Sequence, residues 1–503
     1  MKIWLLKSLS DKDFNIGGQK RKEDTWEYSN KANFPNFVKG ALNSLKEVIM
    51  LKKPNLLFVF ADQMRGQAMG CRGNKEIKTP HLDQLASEGV LFSNAFSNCP
   101  VCTPSRGSLL TGLYPLSHKA IVNDMPILTT NIPSIGKILK KAGYRTGYIG
   151  KWHLDGIPRD KFTPPGERRL GFDYWAVWEC HHQYFQGRYY GDTSEIKNIE
   201  GYEPEGQTDM AINFIRQNKK EPFCLFLSWG PPHNPYELVP DKYKRLYSID
   251  FITPRPNCKD VDIQDIINYY AAITALDENF GRLMKTLDNL GLKKNTIVVF
   301  TSDHGDMLWS QGVIKAHKEQ PWEESISVPL IIRYPEVIPE NVQLDTLISS
   351  VDLVPTLLGL MNFPVPETMQ GQDLSPIIRG EERGGPDSVF LMEIVPSIPA
   401  MRQGIKEWRG IRTKRYTYAR WQDGKVWVLY DNLRDPYQMK NLADNPNYRN
   451  LRESLEKKLQ SWLRKTKDDF LPWKEHIRQL NLVRLWNERE KYMNKEKPRL
   501  ILE

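Results

Sequence analysis

Short apolar runs rich in β-branched and aromatic residues alternate along this chain with stretches of helical spacing. Such alternation predicts βαβ units, and so an α/β fold with a large, mostly parallel central sheet flanked by helices. Residues 55–61 (Asn-Leu-Leu-Phe-Val-Phe-Ala) are continuously apolar, as a strand buried on both faces requires. Residues 144–150, 222–227 and 296–300 read as further central strands. Helical patterns run over residues 80–89 and 262–290, the second with spaced Ile, Tyr, Leu and Phe. The texture changes near residue 385. Residues 408–430 then read as an antiparallel pair turning at Gln422-Asp423-Gly424, and residues 448–465 as a helix.

These patterns divide the chain into four segments. Residues 1–50 are a polar, Lys-rich extension without clear periodicity, expected to be poorly ordered. Residues 51–384 form the large α/β domain and residues 385–475 a smaller C-terminal α+β subdomain. Residues 476–503 read as a basic tail. No run of about 18 apolar residues occurs, so no membrane span is expected. The opening, Met1 to Lys7, is too short and too quickly polar for a signal peptide, which points to a cytoplasmic location.

Composition changes this picture little, with 40% apolar and 26% charged residues in 503. The formal charge of +9 suggests anionic partners, but residues 1–50 and 471–503 supply +6 of it. Nucleic-acid binding by a basic surface is therefore not expected. The six cysteines are scattered. Cys99 and Cys102 have C-x-x-C spacing, but no second pair follows to complete a zinc site, and a chain with this much core needs no disulfide scaffold.

One regularity concentrates the chemistry. Four proposed strands run directly into polar residues: Asp62-Gln63, Lys151-Trp152-His153, Ser228 to His233, and Ser302-Asp303-His304-Gly305. In open parallel sheets the site lies outside the carboxyl ends of the strands, so these groups can meet in one cleft. Asp62, Gln63, Asp303 and His304 would offer three oxygen-bearing side chains and one imidazole, a set suited to Ca²⁺ or Mg²⁺ and also open to Mn²⁺. Each Asp alone could equally cap the helix that follows it. Cys102 stands just before Pro104-Ser105-Arg106, at a helix start whose free N–H groups favour an anion.

Cys102-Thr103-Pro104-Ser105-Arg106, followed by Leu109-Leu110-Thr111-Gly112, resembles the modification motif of the type I sulfatases, within the alkaline phosphatase superfamily. The family's other elements follow in order: Phe60-Ala61-Asp62-Gln63 before it, then Gly150-Lys151-Trp152-His153, Pro231-Pro232-His233, Ser302 to Gly305, and Lys318 before Glu323-Glu324-Ser325. The resemblance extends over about residues 52–470.

It implies a sulfuric ester hydrolase acting on a sulfate ester, with a sulfated carbohydrate as the favoured substrate. Cys102 would be oxidised to formylglycine by a formylglycine-generating or anaerobic sulfatase-maturating enzyme. One hydroxyl of the hydrated aldehyde would attack sulfur, and the other would then expel sulfate. Arg106 would hold the hydrate. Lys151 and Lys318 would bind sulfate oxygens, His153 would assist elimination, and His233 would protonate the leaving alcohol. Asp62, Gln63, residue 102, Asp303 and His304 would hold one divalent metal, Ca²⁺ in the first instance.

Many family members have two consecutive Asp where this chain has Asp62-Gln63, and Asn where it has His304. The forms found here resemble a branch that also contains choline sulfatases and phosphonate monoester hydrolases. Hydrolysis of a phosphonate monoester or phosphodiester on the same scaffold is therefore the second reading. Within residues 155–205, Trp175, Trp178, Cys180-His181-His182, Tyr184 and Arg188 could stack on a sugar and hold an anionic group, or pack as a loop's own small core. Trp309 carries the same two readings.

Overall fold

The computed structural model describes residues 53–128, 131–312, 317–495 and 500–502; the extension expected at residues 1–50 lies outside them. Ten strands form the main sheet. They are β1 (Asn55–Asp62), β2 (Val90–Phe96), β3 (Arg145–Lys151), β4 (Tyr174–Trp178), β5 (Arg188–Tyr190), β6 (Ile196–Asn198), β7 (Phe223–Pro232), β8 (Thr296–Ser302), β9 (Leu330–Arg333) and β10 (Val342–Ser349). Their order across the sheet is β10-β2-β9-β8-β1-β7-β3-β4-β5-β6. The four strands expected from apolar runs, β8, β1, β7 and β3, lie side by side and parallel at its centre. β9 runs antiparallel to both its neighbours, and β5 and β6 form an antiparallel edge. β9 is only four residues long, and β10 alternates polar Gln343 and Asp345 with apolar residues in its first half, so β10 shows no long apolar run.

Both faces of β1 are buried, as its composition requires. Leu56, Phe58 and Phe60 face one core, and Leu57, Val59 and Ala61 face the other. The second face is covered by α1 (Pro80–Ser87), and the first by α2 (Cys102–Thr111). The second face is also covered by α3 (Glu203–Gln217) and α4 (Ile263–Asn289), whose start is capped by the Asp262 side chain on the Gln264 amide. Among the described residues no helix is long and apolar enough to cross a membrane, and all six cysteines are free.

After Gly384 and Gly385, both in left-handed conformations, comes a second sheet of four antiparallel strands. These are β11 (Val389–Glu393), β12 (Trp408–Arg412), β13 (Tyr416–Trp421) and β14 (Val426–Asp431), in chain order across the sheet. The turn at residues 422–424 joins β13 to β14, as expected. Asn98, shortly before α2, accepts from the Met392 amide and donates to the Phe390 carbonyl, both at 2.8 Å, which ties this sheet to the entry of the helix. The helix expected over residues 448–465 is α5 (Arg449–Thr466).

The basic tail expected at residues 476–503 is not a tail. A boundary at 475 would cut α6 (Trp473–Gln479), and α7 (Val483–Met493) follows it. Trp473, Ile477, Leu482, Trp486 and Leu502 are buried in the same core as β11 and α5. Their spacing among Lys and Arg residues makes an amphipathic face that net charge conceals.

Candidate active site

The carboxyl ends of β8, β1, β7 and β3 bring their polar residues to one place. Ala61 pairs with Ser302 across β1 and β8, so Asp62 and Asp303 emerge side by side. Gln63 and His153 both turn into left-handed backbone just beyond their strands, which aims these side chains back across the sheet end. α2 starts at Cys102 on the same edge and is buried along its whole length. Residue 102 occupies the first turn, where free N–H groups and the helix dipole favour negative charge.

Arg106, one turn on, braces the arrangement. Its Nη2 donates to Asp62 Oδ2 at 3.1 Å and its Nε to Asp303 Oδ2 at 3.0 Å. Nη1 donates to the Lys151 carbonyl and to Ser228 Oγ, both at 2.8 Å. Lys151 Nζ lies 2.5 Å from Asp62 Oδ2. Burial and the Cys102 sulfur oppose ionisation of Asp62, but Lys151, His233 and Arg106 outweigh them and hold it below the carboxylate range. Asp303 moves the other way, pushed up by burial and by Asp62.

The Cys102 thiol stands where the nucleophile of a modified residue would stand. Its Sγ is 3.3 Å from His304 Nε2, 3.4 Å from Lys318 Nζ and 3.7 Å from Asp62 Oδ1. Burial would raise its pKa, yet Lys151, Lys318 and His304 bring it well below the usual thiol range. This is a pocket built for an anion.

Asp62, Cys102, Asp303 and His304 offer ligand atoms that all lie within 4.8 Å of one another. His304 Nδ1 lies 2.9 Å from the Gly305 carbonyl, so the ring donates there and turns the Nε2 lone pair toward the two carboxylates. The Gln63 side-chain amide donates to Asp306 Oδ2 at 2.8 Å, and its Oε1 accepts from Lys318 Nζ at 2.6 Å. The amide oxygen thus faces the cluster. Buried carboxylate, amide and imidazole donors fit a hard divalent cation.

His153 and His233 complete the rim. His153 Nε2 is 3.0 Å from Asp124 Oδ1, and its buried Nδ1 has no hydrogen-bond partner among the described residues. Asp124 is gripped at both oxygens by Arg159, at 2.7 and 2.9 Å. His233 Nδ1 donates to the Asn234 carbonyl at 2.8 Å, while Lys318 Nζ donates to its Nε2 at 3.0 Å. Burial and then Lys318 lower the His233 pKa. The ten residues named from the sequence as catalytic or metal-binding are therefore gathered here.

The aromatic loop divides. Trp175, Trp178 and Tyr184 are buried, with Trp178 stacked on Tyr190, so these three serve packing and not a sugar. Trp309 is tied back to Asp265 by its indole N–H at 3.1 Å. His182 does reach the site, its ring parallel to that of His233 with centroids 4.0 Å apart. Asp124, Arg159, Ser228 and Asp306 were not assigned roles from the sequence. Ser228 and Asp306 adjoin recognised segments and could have been found there; nothing local marks Asp124.

Comparison with known proteins agrees with this geometry. The sulfatase family model matches residues 54–363, and that of the N-sulphoglucosamine sulphohydrolase C-terminal region matches residues 317–465. The chain is 39% identical over 439 residues to an ulvan-active sulfatase of Formosa agariphila, covering 86% of this chain and 85% of that one. It is 30% identical over 480 residues to an endo-4-O-sulfatase of Bacteroides thetaiotaomicron, covering 84% and 93%. A solved structure in complex with its substrate D-glucosamine-2-N,6-O-disulfate superposes with a TM-score of 0.74 at 25% identity, covering 83% and 99%. The phosphonate monoester hydrolase of Agrobacterium radiobacter, at 23% identity, TM-score 0.68 and coverage of 83% and 96%, shares the fold. With the motif, the ligand cluster and these relatives in agreement, the chain belongs to the sulfatase family and is a hydrolase of sulfate esters.

Proposed function

We propose that this enzyme removes sulfate from a sulfated carbohydrate, with residue 102 as formylglycine and one Ca²⁺ held by Asp62, Gln63, residue 102, Asp303 and His304. Mg²⁺ and Mn²⁺ are the alternatives for that donor set. The observation that carries the reading is the meeting of Cys102 Sγ with His304, Asp62 and Lys318 at the buried start of a helix. The substrate class follows from the relatives, whose names describe activity on ulvan or bind a sulfated glucosamine.

Formylglycine supplies a hydrated aldehyde, a nucleophile that can release sulfate by re-forming its carbonyl. A divalent cation supplies charge for a sulfate oxygen and favours the deprotonated nucleophile. The chain's own residues do the rest. Lys151 and Lys318 hold sulfate oxygens from two sides, and Arg106 fixes both carboxylates of the cation site. His153, with Nδ1 free and Nε2 on Asp124, takes the proton whose loss expels sulfate. His233, whose Nε2 accepts from the Lys318 ammonium and whose burial keeps the ring neutral, passes a proton from that lysine to the leaving alcohol. Conversion of Cys102 requires a formylglycine-generating or anaerobic sulfatase-maturating enzyme as partner.

The test compares kcat/KM for an aryl sulfate and a matched aryl phosphonate monoester, on one preparation in which peptide mass spectrometry has verified formylglycine at 102. Preference for sulfate is expected. Preference for phosphonate would overturn the substrate class while leaving the fold and site in place. Cys102→Ala should abolish turnover without altering the fold, and full activity in that variant would refute the mechanism.

A further inference from the structure

Beside Arg65, which donates to the Asp306 carbonyl, a cavity of about 470 Å³ opens to the surface near β1 and the start of α4. Arg65, Arg72, Lys75 and Arg255 line it, together with the rings of Tyr270 and Tyr437; among the described residues Glu76 is its one lining carboxylate. Arg65 is only 5% exposed. Its Nε donates to the Asp306 main-chain carbonyl at 3.0 Å, and its Nη2 has no hydrogen-bond partner among the described residues. Arg72 spends two donors on the neutral carbonyls of Phe92 and Ser93. Arg255 is paired with Glu324 at 2.9 Å and lies over the Tyr437 ring, 4.8 Å from its centroid.

A buried guanidinium with an unused donor is costly unless an anion completes it. Here Arg65 is such a cation, the partly buried Arg72 beside it donates to two neutral carbonyls, and an exposed lysine, Lys75, adjoins them. Two aromatic rings in the same cavity offer faces on which a sugar can lie. The volume is within the range of small-ligand sites. None of these groups belongs to the cluster around residue 102, although Arg65 is linked to it through Asp306, whose side chain orients Gln63.

We propose that this cavity is a second carbohydrate site, which binds an anionic sugar unit of a polysaccharide chain through its sulfate or carboxylate group. The inference rests on the carbohydrate reading above, and extends it from a single reacting ester to a polymer held at two places. Arg65, Arg72 and Lys75 take the anionic group, and Tyr437 takes the ring face.

The experiment measures the affinity of the mature enzyme for dextran sulfate, uncharged dextran and inorganic polyphosphate, alongside kcat/KM on an aryl sulfate too small to use the cavity. The variants are Lys75→Glu, the double variant Arg72→Ala with Lys75→Ala, and Tyr437→Ala. Lys140→Ala with Lys141→Ala serves as a control for surface charge elsewhere. The expected result is a loss of dextran sulfate affinity of about tenfold or more in each cavity variant, with aryl sulfate turnover unchanged. Polyphosphate should bind weakly and be indifferent to Tyr437→Ala. An equal loss in the control pair would reduce the effect to diffuse charge and overturn the site. So would unchanged affinity in Lys75→Glu, which leaves the Arg72 contacts to β2 intact. Preference for polyphosphate over dextran sulfate would assign the cavity to a phosphoanion instead. Failure of the unmodified sequence to cleave aryl sulfate would count against the proposed function and not against the cavity.

Discussion

Arg106 shows why residue identity is strict at this site. Its planar fork donates to Asp62, Asp303 and Ser228 at once, which the single ammonium of a lysine cannot do. His153 depends on a residue that no motif announces. Asp124 fixes its tautomer and ring plane from a loop held in turn by Arg159. Asp124→Asn should therefore lower kcat on an aryl sulfate by roughly 10- to 100-fold with little change in KM, the usual cost of losing an orienting partner. Circular dichroism of the same sample would check that the fold survives. His182, parallel to His233, restrains the group that protonates the leaving alcohol. His182→Ala should cost an alkyl sulfate about tenfold more than a 4-nitrophenyl sulfate, because the good leaving group needs little proton donation. Equal losses on both substrates would remove His182 from that role.

At the scale of elements, α2 is held by parts of the chain remote from the catalytic strands. Its first turn receives Asn123, whose side chain accepts from the Thr103 amide at 3.0 Å. The Asn123 carbonyl in turn accepts from Arg489 Nε on α7 at 2.6 Å. Tyr492, also on α7, accepts from the Arg159 amide at 3.2 Å. The C-terminal helices thus brace the loop that carries Asp124. Trp486, which anchors α7 and carries Arg489 over its ring, is 2% exposed. Trp486→Ala should destabilise the protein by about 3–5 kcal/mol in denaturant unfolding. It should also reduce turnover below the denaturation midpoint, where a helix with no link to the site would leave turnover unchanged. Gly150 shows the same dependence between strands. A Cβ there would meet the Ser228 carbonyl at 2.0 Å, in a left-handed conformation, just before Lys151. Only glycine lets β3 approach β7 closely enough to deliver that lysine.

The whole molecule carries buried histidines that act on stability apart from catalysis. Burial pushes His118, beneath α2, down to about 3, and His476, which accepts from Arg409 Nη2 at 3.3 Å, down to about 4. Each takes up a proton more readily when unfolded, at an ordinary pKa near 6.5, than when folded. Stability is therefore retained above about pH 6.5, and is lost as pH falls toward 4 for His476 and toward 3 for His118. Thermal unfolding measured from pH 7 to 4 should show this decline, and His476→Asn should flatten it. From its own residues the sequence determined the central strands, the long helix and the side chains of the site. Uninterrupted apolar runs, strand-end polar groups and a long contiguous motif are local signals, present without any partner. A half-polar strand such as β10 is stabilised by neighbours supplied from elsewhere in the chain, and no local run marks it. The same holds for the amphipathic helices hidden in a basic segment, for Asp124 behind His153, and for the choice of packing over sugar at Trp175 and Trp178. Those were decided only by tertiary structure, because what fixes each is a partner far away in sequence.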